Sequence, residues 1–581
     1  TAVLINRMIE KVIAEEDPIS VDELLVVTFT NASAAEMRHR MLGALEEAVA
    51  QNPESKHLRK QLRLINKAQI STLHSFCLQV VKQYAYLLEI DPGFRIANET
   101  EAALLRDDVL EAVLENAYQG EGAEAVYRLA DSFTSDRNDQ AMEVLLSKLY
   151  DYSRVHPEPE RWLEGVPALY AVPEGATIDD LPFIGDLKMT IRHAFEEALQ
   201  IALEGKMLTL QPDGPEVLGE TFDLDLAVIE AAIAALEESW ESLYALSKSF
   251  SWPKAATIRK DTCDPRLAEE AKGRRNEVKK IVNGIFESYF IRSPKRLLAE
   301  MREMAPLMET LVGLTKTFAA QYRSLKIDRA IVDFSDLEHY ALKILSEGGK
   351  PSAIAKEYQA QFKEVLVDEY QDTNMLQETI LSLVKSGTEE TGNLFMVGDV
   401  KQSIYRFRLA EPMLFLGKYS RFTKEAEGTG LRIDLNANFR SRKEILDGTN
   451  YIFSQIMGER VGEITYDEAA ALKHQAPFPE SDVPIELTLI HEPETEEEPE
   501  DDLAKSQWEA RYIAAKIREL MEQETLVYDP WKQQNRPLEY SDIVVLMRSM
   551  TWSGDFVDEF KAAGIPLYAE LTGGYFDALE V

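Results

Sequence analysis

An apolar run ends in two adjacent carboxylates in Val365-Leu366-Val367-Asp368-Glu369-Tyr370-Gln371-Asp372. A strand of this spelling delivers both acids to the C-terminal edge of a sheet, which is where parallel sheets hold their ligands. Phosphoryl transfer needs such a pair. Asp368 can hold Mg2+, which neutralises charge on phosphate oxygens, while Glu369 orients or deprotonates the attacking water. A buried strand ending in ordinary surface acids is the plainer alternative for a lone apolar-Asp-Glu, and the trailing Gln371 and Asp372 weigh against it. About 30 residues on, Asn393-Leu394-Phe395-Met396-Val397 runs into Gly398-Asp399-Val400-Lys401-Gln402-Ser403-Ile404-Tyr405-Arg406-Phe407-Arg408. The glycine permits a tight turn at the strand end, and the Gln402 amide is within reach of a terminal phosphate. The alternating aromatics and arginines form a pattern on which bases stack while phosphates are neutralised. Aromatics at this spacing taken alone are more often core, and their position directly after the nucleotide-binding segment favours the surface role.

Those residues need a parallel α/β sheet to bring them together. Four short apolar runs have strand character, at Leu24 to Thr30, Ala68 to Thr72, Glu364 to Val367 and Asn393 to Val397, with helical patterns between them. The residues from about Glu101 to Leu325 read mainly as amphipathic helix, and an insertion of that size forms its own subdomain. A second α/β segment begins after Gly430 with strands expected at Arg432 to Leu435 and Asp542 to Met547. The first residues have helical apolar spacing at Val3, Leu4, Met8, Ile9, Val12 and Ile13, with neither a Met nor a capping residue ahead of them. A helix starting at Thr1 is what would remain if a phosphate loop, whose last residue is Thr or Ser, were severed just after its Lys. No Gly-Lys-Thr or Gly-Lys-Ser occurs, because the Gly-Lys pairs at Gly205, Gly349 and Gly417 are followed by Met, Pro and Tyr. The phosphate-loop lysine is therefore expected upstream of Thr1.

Length and composition set outer bounds. The 581 residues, 45% hydrophobic and 28% charged, are enough for three or four folded domains. No apolar stretch approaches the roughly 18 residues of a membrane span, so a cytoplasmic protein is expected. Cys77 and Cys263 match no metal or redox spacing. A formal net charge of -38 opposes non-specific adhesion to polyanions. Part of that acid lies in the run from Glu492 to Asp502, which reads as a solvated loop. From Lys254 to Arg296 twelve Lys or Arg stand against six Asp or Glu. That segment either meets phosphate or forms an ordinary charged helix face.

The ordered set TFTNASAAEMRHR (Thr28 to Arg40), STLHSFC (Ser71 to Cys77), VDEYQDTN (Val367 to Asn374), GDVKQSIYRFR (Gly398 to Arg408) and NFRS (Asn438 to Ser441) resembles the motif series of UvrD-like superfamily one helicases. The spelling GDVKQSIYRFRLAEP and the long insertion before VDEYQDTN are more similar to the A-type chain of the AddAB-type helicase–nucleases (AddA) than to shorter relatives. The resemblance extends over essentially the whole chain. It implies a RecA-like P-loop NTPase fold, with a first motor domain of residues 1–100 and 326–430, a helical insertion at 101–325, and a second motor domain beginning at 431. It also implies ATP and Mg2+ as cofactors. The implied partners are single- and double-stranded DNA and, in a heterodimer, a B-type helicase–nuclease subunit.

By the same resemblance Thr1 ends the phosphate loop and helps hold Mg2+, Asp368 and Glu369 take the metal and water roles, and Gln402 reports the terminal phosphate to the DNA track. Arg440 resembles the arginine that reaches that phosphate from the second motor domain, and Phe439 the aromatic that packs on adenine. Phe29, Thr30, Asn31, Thr72, His74, Tyr405, Phe407 and Arg408 correspond to positions along the single strand. For His74 a satisfied structural histidine remains the alternative. The implied activity is 3′ to 5′ translocation and unwinding in the resection of DNA ends, with polarity coming from the resemblance alone. The later helicase motifs and a nuclease domain are expected beyond Val581, so the 581 residues alone are expected neither to turn over ATP usefully nor to cut DNA. Gly573-Gly574-Tyr575-Phe576 resembles the turn before a further insertion. Two other readings stay open: a stand-alone repair helicase without nuclease, and a helicase-like scaffold that has lost its motor.

Overall fold

The computed structural model describes residues 2–134, 138–259, 262–388, 391–425, 428–479, 483–491, 504–530 and 532–569. Thr1, the acidic run from Glu492 to Asp502 and the Gly573 to Phe576 turn lie outside the described residues. The chain divides into two units, residues 1–432 and 433–581.

In the first unit the four expected runs become β1 (Leu24–Thr28), β2 (Gln69–Thr72), β3 (Glu364–Val367) and β4 (Leu394–Met396). They form one parallel sheet in the order β2-β1-β3-β4. Its inner strands are buried on both faces, which explains why they read as unbroken apolar runs rather than as alternation. Leu25, Val27, Val365 and Val367 point into one core and Leu24, Val26, Ile70 and Leu366 into the other, as the period-two pleat requires.

Helix α1 (Ala2–Ile13) covers the second face with Leu4, Ile5, Met8 and Val12, together with α2 (Asn31–Gln51). Arg7 pins α1 to the sheet by two bonds to Glu364, at 2.9 and 3.0 Å. The first face is covered by α3 (Leu73–Gln83), α4 (Phe334–Leu345) and α5 (Met375–Val384). β1 stops at Thr28 rather than Thr30 because Thr30 turns out of the ladder and caps α2, its hydroxyl accepting from Ser33 N at 3.1 Å.

Between β2 and β3 the chain is helical from Glu99 to Asp328 apart from connecting segments. One of its two cores holds Phe195, Phe222, Trp240, Val278 and Ile285; the other holds Leu110, Leu146, Phe318 and Tyr322. The basic stretch divides between buried and exposed positions. Arg275 is buried on the helix Pro265–Tyr289, bonded to both oxygens of the fully buried Asp225 and to the Pro253 carbonyl. It is a structural ion pair and is not available to a phosphate. Arg274 is half-exposed beside Glu204 and Glu277.

The helix Gln140–Arg154 ends against the helices that cover the sheet. Arg154 bonds Asp336 at 3.2 Å and Ser335 at 3.1 Å, and its carbonyl accepts from His339 Nε2 at 2.9 Å. Burial, followed by the Arg154 charge, pushes the His339 imidazole down to about 3. The folded state therefore keeps His339 neutral while the unfolded chain takes up a proton near pH 6.5, so stability falls as pH drops through 6.5 towards 3. His339 is expected to cost about 2 kcal/mol of stability at pH 5 relative to pH 7.5. Denaturant midpoints at the two pH values measure this, and His339→Gln should flatten the difference.

In the second unit two expected strands do not form. Residues 432–435 and 543–547 carry no strand, because a strand exists only where a neighbour supplies a continuous run of N–H and C=O groups; Arg432 has a single backbone bond, to Thr423, and the short ladder with Lys473 and His474 begins only at Ala437. Ile543, Val545 and Met547 still pack on the helices Lys505–Glu522 and Ser553–Ala562, while Val544 and Leu546 are 76% and 91% exposed. Sequence reading also misses the hairpin of Leu526–Asp529 with Gln534–Pro537. Among the described residues no helix is long and apolar enough to cross a membrane.

Candidate nucleotide and nucleic-acid site

The C-terminal edge of the sheet collects the chemistry. Asp368 follows β3 directly, buried, its N–H donating to the Val27 carbonyl at 2.9 Å. Glu369 then takes a left-handed conformation, φ 51° and ψ 45°, costing about 1–3 kcal/mol for a residue with a Cβ. That turn sends its carboxylate out of the strand direction.

Gln371, fully buried, fixes the arrangement. Its amide nitrogen donates to Glu369 Oε2 at 2.8 Å, and its amide oxygen accepts from the Asp399 backbone N–H at 3.0 Å. One side chain thus locks the end of β3 to the loop after β4. Gly398 is the only residue type that fits there, since a Cβ would lie 2.7 Å from Gln371 Oε1 and 3.0 Å from the Phe415 ring. Asp372 sits beside this pair, its Oδ1 buried and without a hydrogen-bond partner among the described residues. Burial, followed by the neighbouring Glu369 charge, pushes its carboxyl up to about 6.

Past Gly398 the Asp399 carboxylate gathers the loop, taking Lys401 Nζ at 2.9 Å and Gln402 Nε2 at 3.0 Å. Gln402 is exposed, beyond the end of β4. The chain then folds Tyr405 against Phe29, ring centroids 4.6 Å apart, with Phe407 6.0 Å from Tyr405. Arg408 lies over both rings, 5.3 Å from Tyr405 and 5.7 Å from Phe407. Phe407 is 76% exposed. A row of aromatic faces beside a guanidinium is an arrangement on which bases can stack.

Thr30 and Thr72 cap α2 and α3 at the ends of β1 and β2, and Thr72 accepts from Ser75 N at 3.3 Å. Asn31 is exposed in the first turn of α2. His74 is half-exposed and its Nε2 meets Glu338 Oε1 at 3.3 Å, with its ring edge on Phe334. Eight residues, Phe29, Thr30, Asn31, Thr72, His74, Tyr405, Phe407 and Arg408, thus follow the ends of β1, β2 and β4 in one unit. Phe439 and Arg440 belong to the other. There Asn438 Oδ1 accepts from the N–H groups of Arg440 and Ser441, both at 2.9 Å, a turn that leaves Phe439 and Arg440 exposed ahead of the helix Lys443–Ile456.

The family model of the UvrD/REP helicase N-terminal domain matches residues 1–423. The chain belongs to the UvrD/REP helicase family. It is 61% identical over 602 residues to the A-type chain of the ATP-dependent helicase/nuclease of Lysinibacillus sphaericus, covering 100% of this chain and 49% of that protein. Proteins of the same name from Bacillus velezensis and Bacillus pumilus are each 49% identical, over 589 and 596 residues, again across 100% of this chain and 48% of theirs. The chain spans about half the length of the curated relatives it matches.

For a UvrD/REP helicase chain, sequence reading names the reacting groups and leaves their supports without a role. Gln371 and Asp372 read only as part of a motif, although an amide two residues past Glu369 is a recognisable signal. Asp333, Asp336 and Glu338 escape it altogether. The capping box of Asp333 with Asp336 in Val332-Asp333-Phe334-Ser335-Asp336-Leu337 is the available cue.

Proposed function

We propose that this chain is the nucleotide-binding and strand-tracking part of an ATP-dependent DNA helicase, the A-type component of a helicase–nuclease that resects DNA ends. The observation that carries the reading is the lock by which Gln371 joins Glu369, at the end of β3, to the loop that continues through Gln402 into the Phe29–Tyr405–Phe407–Arg408 platform. A change at the water-orienting residue is thereby mechanically joined to the surface that grips a strand.

In this reading Glu369 orients the attacking water, held at its angle by Gln371. Asp368 offers hard carboxylate oxygens of the kind that suit Mg2+, and Thr1 would be a further ligand. The ion, when bound, supplies neutralisation of phosphate charge. Gln402 senses the terminal phosphate, Arg440 has the role of stabilising developing charge, and Phe439 that of packing on the base of ATP. Thr30, Asn31, Thr72 and His74 follow the strand past the stacking platform. The names of the curated relatives support ATP dependence, a nuclease activity in the complete protein and a partner subunit; that the partner is B-type rests on the resemblance. Residues 1–100 and 326–430 would form the first motor domain, 101–325 its insertion, and 431 onward the second. A cytoplasmic site and 3′ to 5′ movement complete the proposal.

The test is ATP hydrolysis by the complete protein with and without single-stranded DNA. Strong stimulation is expected. Phe407→Ala should raise the half-saturating DNA concentration by roughly 5- to 100-fold, the worth of about 1–3 kcal/mol for one base stack. Absence of stimulation would favour the scaffold reading.

A further inference from the structure

Glu338 lies on the second turn of α4, outside every motif named above, yet it is only 4% exposed and meets two elements of the site at once. Its Oε1 accepts from Gln377 Nε2 at 2.9 Å and faces His74 Nε2 at 3.3 Å. Gln377 is the third residue of α5 and forms a reciprocal capping box with Asn374, the last residue of VDEYQDTN. His74 is the second residue of α3, directly after β2. A buried carboxylate is costly unless it is paired, and here its hydrogen-bond donor, Gln377, comes from the segment after β3 and its second neighbour, His74, from the expected strand track. Burial raises the Glu338 carboxyl, and His74, Gln377 and Arg154 oppose that rise.

The ring of His74 is held on two sides. Phe334 presents an edge contact at 5.5 Å and 82°, and Glu338 takes Nε2. With Nε2 facing Glu338 Oε1 at 3.3 Å, the ring is held in one orientation, its other nitrogen turned away from the carboxylate. Without the carboxylate, the half-exposed imidazole has only the Phe334 contact to fix it.

Resting on the helicase reading above, we propose that Glu338 is a positioning residue for the DNA track. Its carboxylate, anchored by Gln377 at the end of the nucleotide-binding motif, orients His74 toward the bound single strand. The role is distinct from general support of the fold because it acts through one named side chain.

The experiment is a double-mutant cycle in the complete protein, with the half-saturating single-stranded DNA concentration for ATP hydrolysis as readout. Glu338→Gln keeps shape and burial while removing the charge that faces His74, and should raise that concentration about tenfold, on the scale of one polar contact to a buried charged group. His74→Ala should raise it by a similar factor. The double variant should be no worse than His74→Ala alone, which marks action through His74. Gln377→Met, which frees the carboxylate from its anchor without touching His74, should move the same readout in the same direction by a smaller factor, and serves if Glu338→Gln fails to fold. The proposal is overturned if Glu338→Gln leaves DNA half-saturation unchanged, or if it weakens binding equally in the His74→Ala background. A wild type with no DNA stimulation overturns the helicase reading as well. Stimulation that is lost in Phe407→Ala but indifferent to His74→Ala overturns the Glu338 proposal alone.

Discussion

Glu369→Gln in the complete protein is expected to lower DNA-stimulated kcat by about 10^2- to 10^4-fold, the usual worth of a positioned general base. ATP should still bind. The substitution preserves volume, and an amide oxygen at the same place still accepts from Gln371 Nε2, so the 2.8 Å bond that sets the side-chain direction survives. What disappears is the negative charge that orients water and takes its proton. The left-handed backbone at Glu369 makes the assignment sharper, because strain of this kind persists only where the surroundings enforce it, and Gln371 and the β3–β4 junction do so here. The measurement is single-turnover hydrolysis beside equilibrium binding of a nucleotide. A variant that keeps more than about a tenth of wild-type turnover would transfer the water-orienting role elsewhere, and Asp372, already inclined to hold a proton near pH 6, is the nearest group.

The sheet is legible in the sequence because its strands are buried on both faces, which leaves short runs of Leu, Val and Ile that helices interrupt. The reacting residues are legible because they stand at the ends of those runs. Illegible are the links made through space. Nothing in the spacing joins Gln371 to Asp399, His74 to Glu338 or Arg154 to Asp336, since each pair depends on a crossover that composition does not encode. Arg275 shows the same limit from the other side: among twelve basic residues in one stretch, only packing reveals that this one is matched to a buried Asp225. In the second unit, Asp542 to Met547 has strand spelling but no ladder, because alternation reports two faces and not the presence of a neighbour.

Lys326→Met is expected to destabilise the first unit by about 3–5 kcal/mol, the cost of leaving buried charge uncompensated. Lys326 is buried near the end of the 35-residue helix Pro294–Asp328 that returns the chain from the helical insertion to the sheet. Its ammonium donates to Asp333 at 2.7 Å and Asp336 at 2.5 Å and lies 4.2 Å from the centre of the Tyr322 ring. Burial alone would lower the Lys326 pKa, but Tyr150, Asp336 and Asp333 outweigh it and hold the group above its ordinary value. Burial likewise would raise Asp333, yet Lys326 outweighs it and holds that carboxyl below the usual range, while Asp336, buried beside it, sits above. Methionine fills nearly the same volume, so the loss is electrostatic rather than a cavity. The pH dependence separates the two causes. With Lys326 gone, Arg154 still faces Asp336 but no longer balances both carboxylates, and the pair relieves its repulsion by taking up protons, so the deficit should be largest at neutral pH and shrink as pH falls through the carboxylate range. Thermal or denaturant midpoints of wild type and variant at pH 7.5 and 4 provide the comparison. A deficit that does not change with pH would mean that Lys326 matters through its packing on Tyr322, and that this end of the helical segment is held to α4 by shape instead of charge.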